Sequence, residues 1–376
     1  MTEMDDEFAA QEDDEAGSAE VAVPAPRENS LLLGHDKAEA SLLQAISAGR
    51  LPHGLLITGP HGIGKATLAY RVARVLLAQP DSQGGLFAGA PAPPVSLALD
   101  RDHPVFKRVA SGGHADLMSV ERSFDVKRKK IRTEIVVEDV RDIGAFLHLT
   151  PAEGGWRIVI VDTADELNRN AANALLKVLE EPPARALVIL LSDNPGRLLP
   201  TIRSRCRVFA LRPLARPVLT DLLDRYRPGL SAADRGALLD LSKGSIGRAL
   251  DFAAQGGLSR QKELSKLMMS LPGLDGVALQ AFAAKLAGEA NDAAYRVVAD
   301  LMPATLARAI AQAAQSSIAG EGSEAGFVAL LRRRGLDRCV EVWEKITDLF
   351  AQSDAVNLDR KQVVLNAFFA LEEVLR

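Results

Sequence analysis

Nine residues constrain this chain more tightly than any others: Gly59-Pro60-His61-Gly62-Ile63-Gly64-Lys65-Ala66-Thr67. The stretch before them, His53 to Thr58, reads as a short buried strand. After them Leu68, Val72, Val75 and Leu76 recur at i, i+4, i+7 and i+8, the stripe of an amphipathic helix. Strand, glycine loop and helix in that order fit G-x-x-x-x-G-K, a loop that cradles phosphate. Gly59, Gly62 and Gly64 let backbone N–H groups turn inward, and the helix N-terminus adds a positive field. Lys65 would reach the β and γ phosphates.

Two positions depart from the pattern. A Ser or Thr directly after the lysine would hold Mg²⁺, but Ala66 has no oxygen. Thr67 follows one residue later, about 100° round the helix, and should not point at the same metal. The next strong strand, Trp156 to Asp162, ends on a carboxylate in the place that helps hold Mg²⁺. The residue after Asp162 is Thr163, where an active ATPase of this kind carries a glutamate to polarise water. Both departures argue for a degenerate phosphate site; the competing reading gives the base role to Asp165 or Glu166.

Trp156 to Asp162 is apolar on consecutive positions, as a parallel strand covered on both faces should be. A helix with Leu167, Ala171, Leu175, Val178 and Leu179 follows, stopped by Pro182-Pro183. Ala186 to Leu191 is a third buried strand. Strands alternating with helices predict an α/β domain with a parallel sheet. Residues 80–104 hold eight Pro or Gly and read as an irregular loop. Lys127-Arg128-Lys129-Lys130 is a basic cluster that reads as a solvated hairpin tip or a nucleic-acid contact. After Pro213 the strand signals stop. The expected organisation is a disordered acidic leader (1–28), a P-loop α/β domain (29–213), a small helical lid (214–258) and an all-α domain (259–376). The last ends on an apolar face of Val364, Phe368, Leu371 and Leu375.

The formal net charge of −4 conceals two parts. Residues 1–28 carry ten acids against Arg27 alone, so a −9 leader precedes a +5 body. That body permits contact with a nucleic-acid backbone, which would be salt-dependent. The longest apolar run, Ala186 to Leu191, falls far short of the roughly 18 residues of a membrane helix. An acidic start excludes secretory and transit signals. Two cysteines, Cys206 and Cys339, build neither a disulfide framework nor a C-x-x-C zinc site. No metal is expected, and a reduced cytoplasmic setting is the simplest reading.

One further set of segments is specific: Asn173 to Pro183 (N-A-L-L-K-V-L-E-E-P-P), Ser192-Asp193-Asn194 and Ser204-Arg205-Cys206. With the glycine loop and Asp162, this order resembles the clamp-loader branch of the AAA+ ATPases. The likeness is close from about residue 30 to 213, looser to 258, and beyond that limited to length and helical character. The resemblance implies that Arg205 is a finger acting in trans on ATP held by a neighbouring subunit, with Cys206 a packing residue. It makes Asn194 or Ser192 a phosphate or water contact, and Arg248, in Gly244 to Leu250, a lid arginine near the nucleotide. Residual ATP or ADP binding without turnover stays open. No cysteine stands where relatives carry a zinc module, so no zinc is expected.

The implied assembly is a ring that loads a sliding clamp onto primed DNA for the DNA polymerase III holoenzyme. Its other members would be motor subunits of gamma or tau type and a delta-type subunit, with the all-α domain as collar. The alternative is an ATP-hydrolysing motor subunit of the same or a related complex.

Overall fold

The computed structural model describes residues 22–79, 94–125, 129–153, 155–254, 256–288, 291–315, 323–355 and 358–376. In chain order the first unit comprises α1 (Asp36–Ser47), β1 (Gly54–Thr58), α2 (Lys65–Leu77), α3 (Pro104–Ala110), β2 (Leu117–Val120), β3 (Phe124–Asp125) and β4 (Lys130–Ile131). It continues with α4 (Val137–His148), β5 (Arg157–Val161), α5 (Arg169–Glu180), β6 (Ala186–Ser192), α6 (Pro200–Arg205) and β7 (Arg207–Ala210). The sheet order is β2-β5-β6-β1-β7, and every pairing in it is parallel.

The three strands read from sequence form the centre of this sheet, and every residue in them is buried. Their side chains alternate between two cores. Leu55, Ile57, Ile158, Ile160, Leu187 and Ile189 pack with Leu68, Val72 and Leu76 of α2. Leu56, Val159, Val161, Val188 and Leu190 pack with Ile143 of α4 and Leu175 and Leu179 of α5. Consecutive apolar residues are therefore what a strand covered on both faces requires.

β2 and β7 carry no such signal. They are the edge strands, partly exposed, with only Val120 and Phe209 fully buried in them. Each is held by a single neighbour, β5 and β1 respectively. Their strand character comes from that ladder rather than from an apolar period.

Of the basic cluster expected at a hairpin tip, Lys130 opens β4, which pairs antiparallel with β3 so that Phe124 faces Ile131. Lys127 and Arg128 lie outside the described residues, as do 1–21 of the leader and 80–93 of the proline-rich loop. The end of the leader is tied to α2. Arg74, 1% exposed, donates to Asn29 O at 2.7 Å and Arg27 O at 3.1 Å, and its guanidinium lies 4.4 Å from the Phe106 ring centre.

Beyond Pro213 the described chain is entirely helical: α7 (Arg216–Tyr226), α8 (Ala232–Leu241), α9 (Ile246–Ala254), α10 (Gly257–Met269), α11 (Gly276–Ala284), α12 (Asp292–Ala314), α13 (Ser323–Arg334), α14 (Leu336–Ala355) and α15 (Arg360–Leu375). One hydrophobic cluster runs without interruption from Leu214 to Leu375. Val364, Phe368, Leu371 and Leu375 are all fully buried in it. Among the described residues no helix is long and apolar enough to cross a membrane.

Candidate nucleotide site

β1 ends at Thr58 and α2 begins at Lys65, so the connecting residues cross the carboxyl end of the parallel strands, where open α/β sheets bind ligands. Gly59, Gly62 and Gly64 have φ of 146°, 74° and 107°, values that glycine adopts freely and side chains rarely do. Each of the five carbonyls from Gly59 to Ile63 accepts a hydrogen bond. Lys65 Nζ donates to Gly59 O at 2.9 Å and Pro60 O at 2.8 Å. Ser245 Oγ donates to His61 O at 2.6 Å, Gly247 N to Gly62 O at 2.9 Å, and His35 Nε2 to Ile63 O at 2.7 Å.

The lid therefore touches the loop backbone to backbone. A Cβ on Gly247 would stand 2.6 Å from Gly62 Cα, and neither atom belongs to a side chain that could swing aside. Helix propensity alone favours alanine over glycine by about 1 kcal/mol, so any net loss reports the clash. Gly247→Ala is expected to destabilise the chain by about 1–3 kcal/mol, the range for overpacking. Hydrogen exchange at residues 245–250 should accelerate with it. Unchanged denaturation and exchange would show that the lid does not rest on the loop.

Lys65 is 8% exposed and pairs with the Asp193 carboxylate as well as the two carbonyls. Asp193 follows the last residue of β6, the neighbour of β1, which carries it to the loop. Its Oδ2 lies 3.2 Å from His61 Nδ1, and its backbone N–H donates to Asp165 Oδ1 at 3.1 Å. Burial works against the Asp193 charge, but hydrogen bonds from His61 and Lys65 outweigh it and hold the carboxyl below its ordinary range. The bond to Asp193 likewise raises His61 above its ordinary 6.5. Both shifts favour the folded state. The Asp193 contribution is lost as pH falls through its depressed pKa; that of His61 is complete below 6.5 and lost as pH rises through its raised pKa.

Asp162 stands at the end of β5. Burial pushes its carboxyl above the usual range, against the pull of the Thr163 backbone and the Lys65 charge. Thr163 has φ 55°, left-handed backbone that costs a β-branched residue about 1–3 kcal/mol. Asp165 bonds the Asp193 backbone, and Glu166 pairs with Arg122 Nε at 2.9 Å, so both alternative bases already have structural partners.

These groups line a cavity of about 640 Å³, within the size range of small-molecule sites. Lys65, Ala66, Thr67, Asp162, Thr163 and Asp193 contribute to its lining, and Leu31, Leu33, Leu214, Tyr226 and Leu250 add apolar surface. The apolar part offers a wall of the kind that packs against a flat ring. The loop part does not fit a polyphosphate as it stands, because the lysine that should meet it holds a carboxylate. Among the described residues no group of three or more His, Cys, Asp or Glu converges on a metal position.

The structure thus brings Gly59, Gly62, Gly64, Lys65, Thr67 and Asp162 together. It places four other predicted residues elsewhere. Asn194 Oδ1 accepts from Gly196 N at 3.2 Å, closing a turn. Ser192 is buried, and its Oγ has no hydrogen-bond partner among the described residues. Arg248 reaches Asp300 of α12 at 3.1 Å and lies 5.8 Å from the Phe252 ring centre. Arg205, at the end of α6, is 35% exposed, donates to Thr201 O at 3.1 Å and pairs with Glu180 at 2.8 Å; it does not line the cavity. Burial pushes the Cys206 thiol up to about 11, which suits packing rather than nucleophilic work.

Sequence reading missed Asp193, His35, Ser245 and the apolar wall around Tyr226. Only Asp193 left a signal, a carboxylate just beyond a buried strand in an α/β pattern.

Residues 34–215 match the family described as DNA polymerase III, delta subunit. The chain is 36% identical over 204 residues to DNA polymerase III subunit delta' of Pseudomonas aeruginosa, covering 54% of this chain and 56% of that protein. It is 33% identical over 241 residues to the Escherichia coli subunit delta', covering 64% of this chain and 66% of that protein. With DNA polymerase III subunit tau of Salmonella typhimurium it shares 30% identity over 183 residues, covering 49% of this chain and 25% of that protein. The matched stretch is thus about half the length of the first of these relatives and no more than two thirds of any of them.

Proposed function

We propose that this chain, whose residues 34–215 match the family described as DNA polymerase III, delta subunit, is a delta prime-type subunit of a clamp loader. In that role it supplies Arg205 in trans to a neighbouring ATPase subunit and does not turn ATP over itself. The observation that carries the reading is the position of Arg205: within Ser204-Arg205-Cys206, on an exposed helix end, outside the chain's own cavity. A guanidinium stays charged and offers several donors to phosphate oxygens, which suits stabilising charge that develops during phosphoryl transfer.

The chain's own loop supports the other half of the reading. Ala66 offers no oxygen to a metal, Thr163 offers no carboxylate to a water, and Lys65 is already engaged. These three features weigh against an active motor subunit. The partners proposed are gamma- or tau-type motor subunits, a delta-type subunit, a sliding clamp and primed DNA reached through the complex. The +5 body is compatible with the last.

Reconstitution tests this directly. The chain is mixed with a motor-type subunit, a delta-type subunit, clamp and primed DNA, and ATPase is read alongside assembly. Arg205→Ala should preserve assembly and depress the ATPase; the isolated wild-type chain should hydrolyse ATP at no more than a trace rate. Robust turnover by the isolated chain, abolished by Lys65→Ala, would overturn the reading.

A further inference from the structure

The phosphate loop of this chain already holds an anion of its own. An ammonium group has three donors, and on Lys65 all three have partners: Gly59 O, Pro60 O and the Asp193 carboxylate. A bound β or γ phosphate would have to displace the third and then lie beside the displaced charge. Ala66 and Thr163 bear on metal binding and water activation; neither explains why phosphate itself should be refused. Asp193 does. Resting on the reading of this cavity as a nucleotide site, we infer that Asp193 is the residue that excludes nucleoside triphosphate from it, a carboxylate seated on the phosphate-binding lysine.

Three features show that Asp193 is held there and has not drifted in. Its backbone N–H is bonded to Asp165 at 3.1 Å. Its second carboxylate oxygen is taken by His61 at 3.2 Å, from the loop itself. The lysine is 8% exposed and the aspartate 28%, so the pair is largely withdrawn from water that would screen it. The other charged groups lining the same cavity are Glu121, Arg122, Asp162 and Asp251. None of them is hydrogen-bonded to Lys65 among the described residues.

Removing the carboxylate frees a donor on Lys65 and deletes the like charge that opposes phosphate. A hydrogen bond to a charged group is worth about tenfold to a hundredfold in affinity, and that is the gain expected. The full chain is titrated with a fluorescent ATP analogue in Mg²⁺, and with ADP. Wild type should bind weakly or not at all, and Asp193→Asn should bind at least tenfold tighter. Adding Lys65→Ala to Asp193→Asn should return affinity to the wild-type level, because the gain acts through the lysine. Glu138→Gln deletes one negative charge from the exposed face of α4, outside the cavity, and should change affinity less than threefold. Asp193→Ala serves if the asparagine variant loses its thermal transition.

Wild-type affinity left within twofold by both folded Asp193 variants would overturn the inference. So would an equal gain from Glu138→Gln, which would reduce the effect to bulk charge. Failure here with a strong Arg205→Ala effect in the reconstituted complex would sink the exclusion alone. A gain here with no Arg205 effect would sink the clamp-loader role alone.

Discussion

Arg205→Ala in a reconstituted complex is expected to lower DNA-stimulated ATPase by at least a hundredfold, with no change in assembly by gel filtration. The size follows from the chemistry: a trans arginine stabilising the transferring phosphoryl group is worth roughly 10³–10⁵ in rate. Other steps of a loading cycle will hide part of that. The structural cost should be small. Arg205 is 35% exposed, and its visible partners are Glu180 at 2.8 Å and Thr201 O at 3.1 Å. An exposed pair of this kind contributes about 0–1 kcal/mol, so the melting temperature of the isolated chain should barely move. Arg205→Lys keeps the charge but not the planar fork of donors, and should recover little of the lost rate. A complex whose ATPase stays within threefold of wild type with Arg205→Ala would remove Arg205 from the neighbour's active site.

Phe368 and Phe369 adjoin on α15, and their substitutions should separate core from surface. Phe368 is fully buried among residues of the continuous helical core, while Phe369 is 50% exposed. Phe368→Ala removes a ring from a closed site and should cost about 3–5 kcal/mol. Phe369→Ala in the isolated chain should stay within about 0.5 kcal/mol of wild type, as exposed substitutions usually do. Urea denaturation followed by helical circular dichroism measures both. Equal effects would mean that α15 does not pack as described.

This pair bears on the expected collar. The sequence showed an apolar face of Val364, Phe368, Leu371 and Leu375 and could not say whether it meets another subunit or the chain's own helices. In the structure all four are buried within the chain. In the proposed assembly, contacts with neighbouring subunits would therefore fall to other surfaces of the bundle.

The candidate site divides along the same line. Gly59, Gly62, Gly64 and Lys65 were legible because they are adjacent and their spacing answers a local need, turning the backbone from a strand into a helix. Asp162 was legible because a carboxylate at the end of a buried strand has few other reasons to be there. Arg248 matched a local pattern, yet its guanidinium reaches Asp300 across more than fifty residues of sequence. Local pattern does not fix where a long side chain turns.

By itself, then, the sequence determined the central strands, the helices that cover them, the glycine loop between β1 and α2, and the change to an all-helical second half. These follow from periodicity and from glycine at positions where φ must be positive, both of which act over a few residues. Only the tertiary structure decided the edge strands, the lid's hold on the loop, the burial of the last helix, and the state of Lys65. Each depends on a partner distant in sequence: β1 for β7, Gly62 for Gly247, Asp193 for Lys65. Parallel pairing and buried charge both bring such distant residues together, and no period in the chain announces which ones will meet.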